Sequence, residues 1–258
     1  MIKKNHLSIK PKKLLGFCVS RGVQTKITAV NGLLTATLDI GQTNTQTNQM
    51  ELKERIIMQA SALFFRNGLR AVTMNEVAED LGISKRTLYE HFTNKEELLV
   101  ACIQWQHQDN LQKRAELKEE SVNPVDFIHR HFRYTVMYIK EVHPNLANEM
   151  KKLHPAIWNE QVVPLEKERD EFTMKLVKEG VEQGYFLEET DPEIATKLLY
   201  AHVDMMMDTT VFPPERFSRA DLFRYIITGF LRSMATQKGL KEIDMLFYQS
   251  KDEAYVSY

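Results

Sequence analysis

Six side chains within eight positions offer the densest chemistry in this sequence. They are Ser84, Lys85, Arg86, Thr87, Tyr89 and His91, set in the stretch Gly82-Ile83-Ser84-Lys85-Arg86-Thr87-Leu88-Tyr89-Glu90-His91-Phe92. Short hydroxyls and flexible cations near the start of a helix are what a recognition helix needs where it enters the major groove of DNA. Lys85 can reach guanine O6 or N7, and Thr87 can meet a thymine methyl or a base-edge acceptor. Arg86 can do either job or simply face solvent. Taken singly, each of these residues also reads as solvated surface; the grouping is what points to nucleic acid. Leu88 and Phe92 turn inward and hold the helix in place.

The elements that must position these groups are legible on both sides. Leu52 to Asn67 repeats apolar residues at helical spacing (Ile56, Ile57, Ala60, Leu63, Phe64), and Gly68 is a C-terminal stop against which Leu69 folds back. Thr73 precedes Glu76 at capping-box spacing and opens a second helix, with Met74, Val77, Ala78 and Leu81 as its inner stripe. Gly82 breaks it, Ser84 is the N-cap of a third helix, and Asn94 with Glu97 begins a fourth from Lys95. Three short helices with a tight turn between the second and third make a helix-turn-helix head. Lys95 and Thr73 stand at helix starts, where free N–H groups and the helix dipole favour a phosphate.

From Ile56 to Leu99 the sequence resembles the DNA-binding domain of the tetracycline-repressor (TetR/AcrR) family of bacterial transcriptional regulators. The resemblance rests on Ala60, Leu63, Phe64, Gly68, Thr73, Ile83-Ser84, Leu88-Tyr89-Glu90-His91-Phe92 and Lys95-Glu96-Glu97-Leu98. Beyond these residues it is supported only by overall length and an all-helical reading. The resemblance implies that Tyr89 and His91 touch backbone phosphate. It also implies a dimer that reads a palindromic operator in double-stranded DNA, and a small-molecule inducer held between the body helices whose binding moves the two heads and releases DNA. Most members of the family repress, so a repressor is expected.

The expected fold class is all-α. Its domains are a basic extension over 1–50, a helix-turn-helix head over 51–98, a helical regulatory and dimerisation body over 99–239, and a tail over 240–258. The last two long helices, 192–210 and 218–236, carry Leu198, His202, Phe223, Ile227, Phe230 and Leu231, an apolar surplus that suits a symmetric four-helix homodimer interface. Completion of the monomer core is the alternative. An inducer cavity would draw on Phe132, Tyr134, Tyr138, Trp158, Phe172, Met174, Tyr200 and Met205, each of which also reads as an ordinary core or surface residue. Met205, Met206 and Met207 cannot all face inward on one helix, and methionine adapts to ligands of varied shape.

Residues 1–50 hold seven Lys or Arg against one acid, Asp39, a net of +6, so residues 51–258 carry −7 of the overall −1. Three readings fit the extension: a disordered basic arm that adds non-specific DNA affinity, an organellar or export segment, or a stretch upstream of a true start at Met50. The third is favoured because an amphipathic helix opens directly after Met50. The near-neutral total weighs slightly against nucleic acid but allows a basic patch on an acidic body. No run of 18 apolar residues occurs, and no membrane partner is expected. Cys18 and Cys102 are far apart and suggest a reduced, cytoplasmic protein. His129 and His131 do not share a helix face. No His-Glu-x-x-His spacing or Gly-rich phosphate loop appears, so no metal, cofactor or enzyme activity is expected. The competing reading is a helical scaffold or protein-interaction module that keeps the head fold without regulating DNA.

Overall fold

The computed structural model describes residues 51–249 and the backbone of residues 27–30 and 33–36. The three readings of the basic extension, and the tail beyond 249, therefore lie outside the described residues. The exception is a two-stranded hairpin in which β1 (Ile27–Val30) pairs antiparallel with β2 (Leu33–Ala36), Ile27 opposite Ala36. The chain divides into two compact units, residues 1–55 and 56–258.

The head follows its local signals. In α1 (Leu52–Asn67) the residues Ile56, Ala60 and Phe64 recur every four positions and are buried. Gly68, at φ +81°, ends the helix by donating its N–H to the Phe64 carbonyl at 3.0 Å. In α2 (Met74–Leu81) the capping box is complete: the Thr73 hydroxyl accepts from Glu76 N–H at 3.3 Å, and the Glu76 carboxylate accepts from Thr73 N–H at 2.6 Å. Gly82 takes the left-handed conformation at φ +66°, and Ile83 N–H reaches back to the Ala78 carbonyl at 3.0 Å, which turns the chain into α3 (Lys85–His91). Leu88 and Phe92 are fully enclosed, and burial of side chains this size contributes about 1.5–3 kcal/mol each.

The long α4 (Lys95–Glu120) leads from the head into the body. There follow α5 (Pro124–Ile139), α6 (Leu146–Leu153) and a short α7 (Pro155–Ile157). A π-helical turn (Trp158–Val162) connects α7 to α8 (Val163–Glu182). Then come α9 (Pro192–Met206), α10 (Arg219–Met234), α11 (Gln237–Asp244) and a last π-helical turn (Met245–Gln249). Among the described residues from 52 to 249 the named elements are all helical, with one isolated bridge between Phe186 and Ala235. No helix among the described residues is long and apolar enough to cross a membrane.

The body core is drawn from both ends of this region. Phe132 stacks on Phe223 at 5.5 Å and meets Phe247 at the same distance, while Val136, Ile139, Leu199, Ile227, Leu231 and Ile243 fill the same cluster. Three of the residues expected at a dimer interface, Phe223, Ile227 and Leu231, are therefore core residues, and Phe230 packs against that core. The reason is that α10 is wedged among α5, α9 and α11, which use up its apolar stripe. Phe132, expected at a ligand cavity, is core for the same reason. The body also continues past residue 239, because Ile243 and Phe247 are buried in it. Cys102 is buried with its thiol 3.5 Å from the Ile57 carbonyl, and burial pushes the thiol up to about 12.

Head and body are joined at the loop after α1. Glu149 of α6 places one carboxylate oxygen on two successive amides, Leu69 N–H at 2.7 Å and Arg70 N–H at 3.0 Å. His143 N–H donates to the Phe65 carbonyl at 2.7 Å. From the other side the Lys95 ammonium donates to the Leu69 carbonyl and, at 2.5 Å, to that of Val72. Arg219, at the start of α10, donates to the Val142 carbonyl one residue before His143. Gly68 is favoured by its φ, and a Cβ there would stand 2.9 Å from both Glu149 Oε2 and His143 Nδ1, so those side chains would have to shift.

Leu88→Ala is expected to lower stability by about 2–5 kcal/mol, read by urea denaturation, and to melt the head without shifting base preference in whatever fraction stays folded. Glu149→Gln keeps the shape but removes the charge from two hydrogen bonds, so a loss of roughly 1 kcal/mol is expected. Amide hydrogen exchange at Leu69 and Arg70 should speed up selectively; unchanged exchange there would show that the carboxylate does not hold the loop.

Candidate nucleic-acid interface

The outer face of α3 is built by what its inner face buries. With Leu88 and Phe92 enclosed, the helix turns Lys85, Arg86, Tyr89 and Glu90 outward. Tyr89 is 47% exposed, high for a ring of its size in contact with a folded domain, and its phenol is free to meet a phosphate oxygen. Arg86 pairs with Glu90 at 3.1 Å, but both side chains are largely exposed. A pair of this kind is worth at most about 1 kcal/mol, so the guanidinium can exchange its partner for a base or a phosphate at little cost.

Ser84 and Thr87 are partly committed. Ser84 Oγ accepts from Thr87 N–H at 3.0 Å and shares a hydrogen bond with Thr87 Oγ1 at 2.8 Å. That makes Ser84 first a cap, and it leaves Thr87 its methyl group as the part not held by the cap. His91 is half-buried in the last turn of α3. At the start of α2, Thr73 is exposed. Its hydroxyl oxygen accepts from Glu76 N–H, so its own hydrogen points away from that bond and is what it offers a phosphate. At the start of α4, Asn94 caps Glu97 N–H at 2.8 Å, and Thr93 donates to the Glu97 carboxylate from both its N–H (2.7 Å) and its hydroxyl (2.8 Å).

Lys95 departs from expectation. Its ammonium is drawn inward, bonded to two loop carbonyls and 5.6 Å from the centre of the Phe64 ring. Burial lowers its pKa, against the opposing pull of Glu96, Glu149 and Glu76. Two of its three donors brace the head, and only the third remains for a phosphate. The reason is the length of the side chain: from the first turn of α4 it reaches the carbonyls at the end of the α1–α2 loop. Sequence reasoning also missed Glu149 and His143. Neither carries a local signal, since Glu149 meets Leu69 across 80 residues of chain.

The residues expected at a ligand cavity fall into separate settings. Tyr134 and Tyr138 meet edge to face at 4.5 Å, and Phe172 packs on Phe127 at 5.6 Å beneath the Arg114 guanidinium. His131 stacks on Phe127, and burial together with the Arg114 charge holds its imidazole down to about 4, so it is neutral at physiological pH. Burial raises the Tyr134 phenol. Tyr200 lies under Arg169 at 3.5 Å with its hydroxyl 2.8 Å from that of Thr173. Trp158 lies under Lys151 at 4.5 Å, in the π-helical turn. Met174 is half-buried, and Met205 is exposed on α9. Of the dimer candidates, Leu198 and His202 are exposed on α9.

Residues 56–102 match the family of bacterial regulatory proteins described as the tetR family. The chain is 22% identical over 143 residues to the HTH-type transcriptional repressor KstR2 of Mycobacterium tuberculosis, covering 54% of this chain and 72% of that one. Its fold is similar to that of a TetR-family transcriptional regulator from Agrobacterium tumefaciens, with a TM-score of 0.61, 17% identity and coverage of 71% and 97%. The transcriptional regulator FadR of Bacillus subtilis, solved in complex with stearoyl-CoA, superimposes with a TM-score of 0.57 at 15% identity, covering 70% and 98%. At such identities the two structures speak for the fold alone. The head match, the repressor relative and the all-helical body agree with one another: residues 56–102 match the DNA-binding domain of the tetR family of bacterial regulatory proteins, and the chain is similar to transcriptional regulators that carry it.

Proposed function

We propose that this protein is a ligand-responsive repressor that binds a palindromic operator as a homodimer. The observation that carries the reading is the outer face of α3, where Lys85, Arg86 and Tyr89 stand exposed on a helix fixed from within by Leu88 and Phe92. Lys85 and Thr87 read base edges; Tyr89, His91 and the Thr73 hydroxyl grip phosphate; Ser84 sets the helix start; Arg86 serves either role. Lys95 braces the head and has one donor left for a phosphate. One seven-residue helix reads few bases, so a symmetric pair of heads on two half-sites is what specificity requires.

The homodimer face belongs on the outer side of α9. Ile194, Leu198, Ala201, His202 and Met205 recur there at helical spacing and are all exposed, and Tyr225 on the neighbouring α10 is 73% exposed. An apolar ridge of this kind marks an association site. The inducer belongs in the body, beside the ring contacts in which Phe127 meets both His131 and Phe172, and Tyr134 meets both His131 and Tyr138. FadR, with its bound stearoyl-CoA, supports the idea that a fold of this type holds a greasy ligand. A cytoplasmic location follows from the proposed role. The proposed domain boundaries are a head over 51–98 and a body that begins at 99 and extends through Phe247.

Selection of random DNA sites by the purified protein should recover a palindrome. In the triple variant Lys85→Ala, Thr87→Ala, Tyr89→Ala, affinity for that site should fall about 100-fold or more while the fold is kept. Undiminished binding by the variant would remove the assigned reading surface, and failure to select any site would favour the scaffold reading. Leu198→Glu should shift sedimentation from dimer to monomer and weaken binding to the full palindrome more than to a half-site.

A further inference from the structure

We propose that the cavity between the head's first loop and α6 binds a small oxyanion, a phosphate or carboxylate group, held between Arg70 and Lys152. The cavity has a volume of about 240 Å³ and is lined by Arg70, Asn145, Asn148, Glu149, Lys152 and Leu153. Arg70 comes from the head. The other five lie on one face of α6 and its N-cap, at the i, i+3/i+4, i+7 spacing that brings helix side chains together.

Charge gives the cavity its preference. Arg70 and Lys152 both line it, and neither side chain has an ion-pair partner among the described residues. Asn145 and Asn148 add amide donors, and Asn145 makes no side-chain capping bond to the start of α6. The one carboxylate in the wall, Glu149, is already spent on the amides of Leu69 and Arg70. An incoming oxyanion would meet two cations against one engaged acid. The volume is below the roughly 300–1,000 Å³ of sites for drug-sized ligands. A single phosphate or carboxylate group fits the space better than a whole cofactor does.

The place of the site defines its consequence, which rests on the regulator reading. An anion held by Arg70 and Lys152 would tie head to body beside the Glu149 bond, adding a second signal distinct from any ligand of the body aromatics. The test is thermal denaturation of the full chain in potassium phosphate and in potassium acetate, each against chloride at equal ionic strength. The double variant Arg70→Gln, Lys152→Gln is run in parallel. The expected result is a saturable rise of about 3 °C in the native protein with either anion, absent in the variant. A response to phosphate alone also supports the site and assigns it to phosphate. No saturable rise, or the same rise in the variant, overturns it, since excluded anions stabilise any fold non-specifically. Lys152→Gln alone, at an exposed position, stands in if the double variant does not fold.

Operator affinity measured in chloride should be equal in native and variant proteins. A drop in the variant would make the two cations DNA contacts and overturn the small-anion site. Anion binding by a protein that selects no operator would leave the site standing and remove the regulator reading instead.

Discussion

One carboxylate oxygen makes two of the hydrogen bonds that join the head to the body. Glu149 Oε2 receives the amides of Leu69 and Arg70, just past the left-handed glycine that ends α1. Those amides could otherwise be satisfied by water, since they follow a helix end. Taking them from the body makes the loop part of two structures at once. Lys95 holds the carbonyls of the same loop from the opposite side, so the five residues from Gly68 to Val72 are gripped through both kinds of backbone polar group. The α3 face is only as well aimed as this loop is fixed, because α2 starts one residue after Thr73 and α3 turns directly from α2.

The body uses a second kind of contact repeatedly. Cations lie over aromatic rings at Arg114–Phe172, Arg169–Tyr200 and Lys151–Trp158. Carboxylates pair with two of these cations, Glu168 with Arg114 at 3.0 Å and Asp170 with Arg169 at 2.9 Å. Asp170 is also bound by Lys197, and these bonds lower its pKa despite the opposing effect of burial. Two of the three ring-bound cations thus also hold a carboxylate, whereas Arg70 and Lys152 hold none among the described residues.

The head was legible because its instructions are local. A capping box needs residues three apart, a left-handed turn needs a glycine at one position, and an inner stripe needs a period of about four. Thr73–Glu76, Gly82, Ser84 and Asn94–Glu97 show each of these in the structure. The body was legible as helices but not as surfaces. Phe223, Ile227 and Leu231 advertise an apolar stripe, yet periodicity does not say whether α5 or a second chain covers it. The inward turn of Lys95 is hidden for a related reason: a long side chain at a helix start can turn to solvent or fold back, and the nearby loop carbonyls decide. Glu149 and His143 left no trace in the sequence, because their partners lie about eighty residues away.

The filling of the body core by Ile243 and Phe247 has a consequence in time. Phe247 meets His129 and Phe132 on α5, across more than a hundred residues of chain. The head, by contrast, closes its caps within three or four residues. As the chain leaves the ribosome, the helices of the head can complete their caps early, whereas the body lacks two core side chains until Phe247 is out. A chain synthesised only as far as α10 would hold the capped helices of the head before its body core is closed.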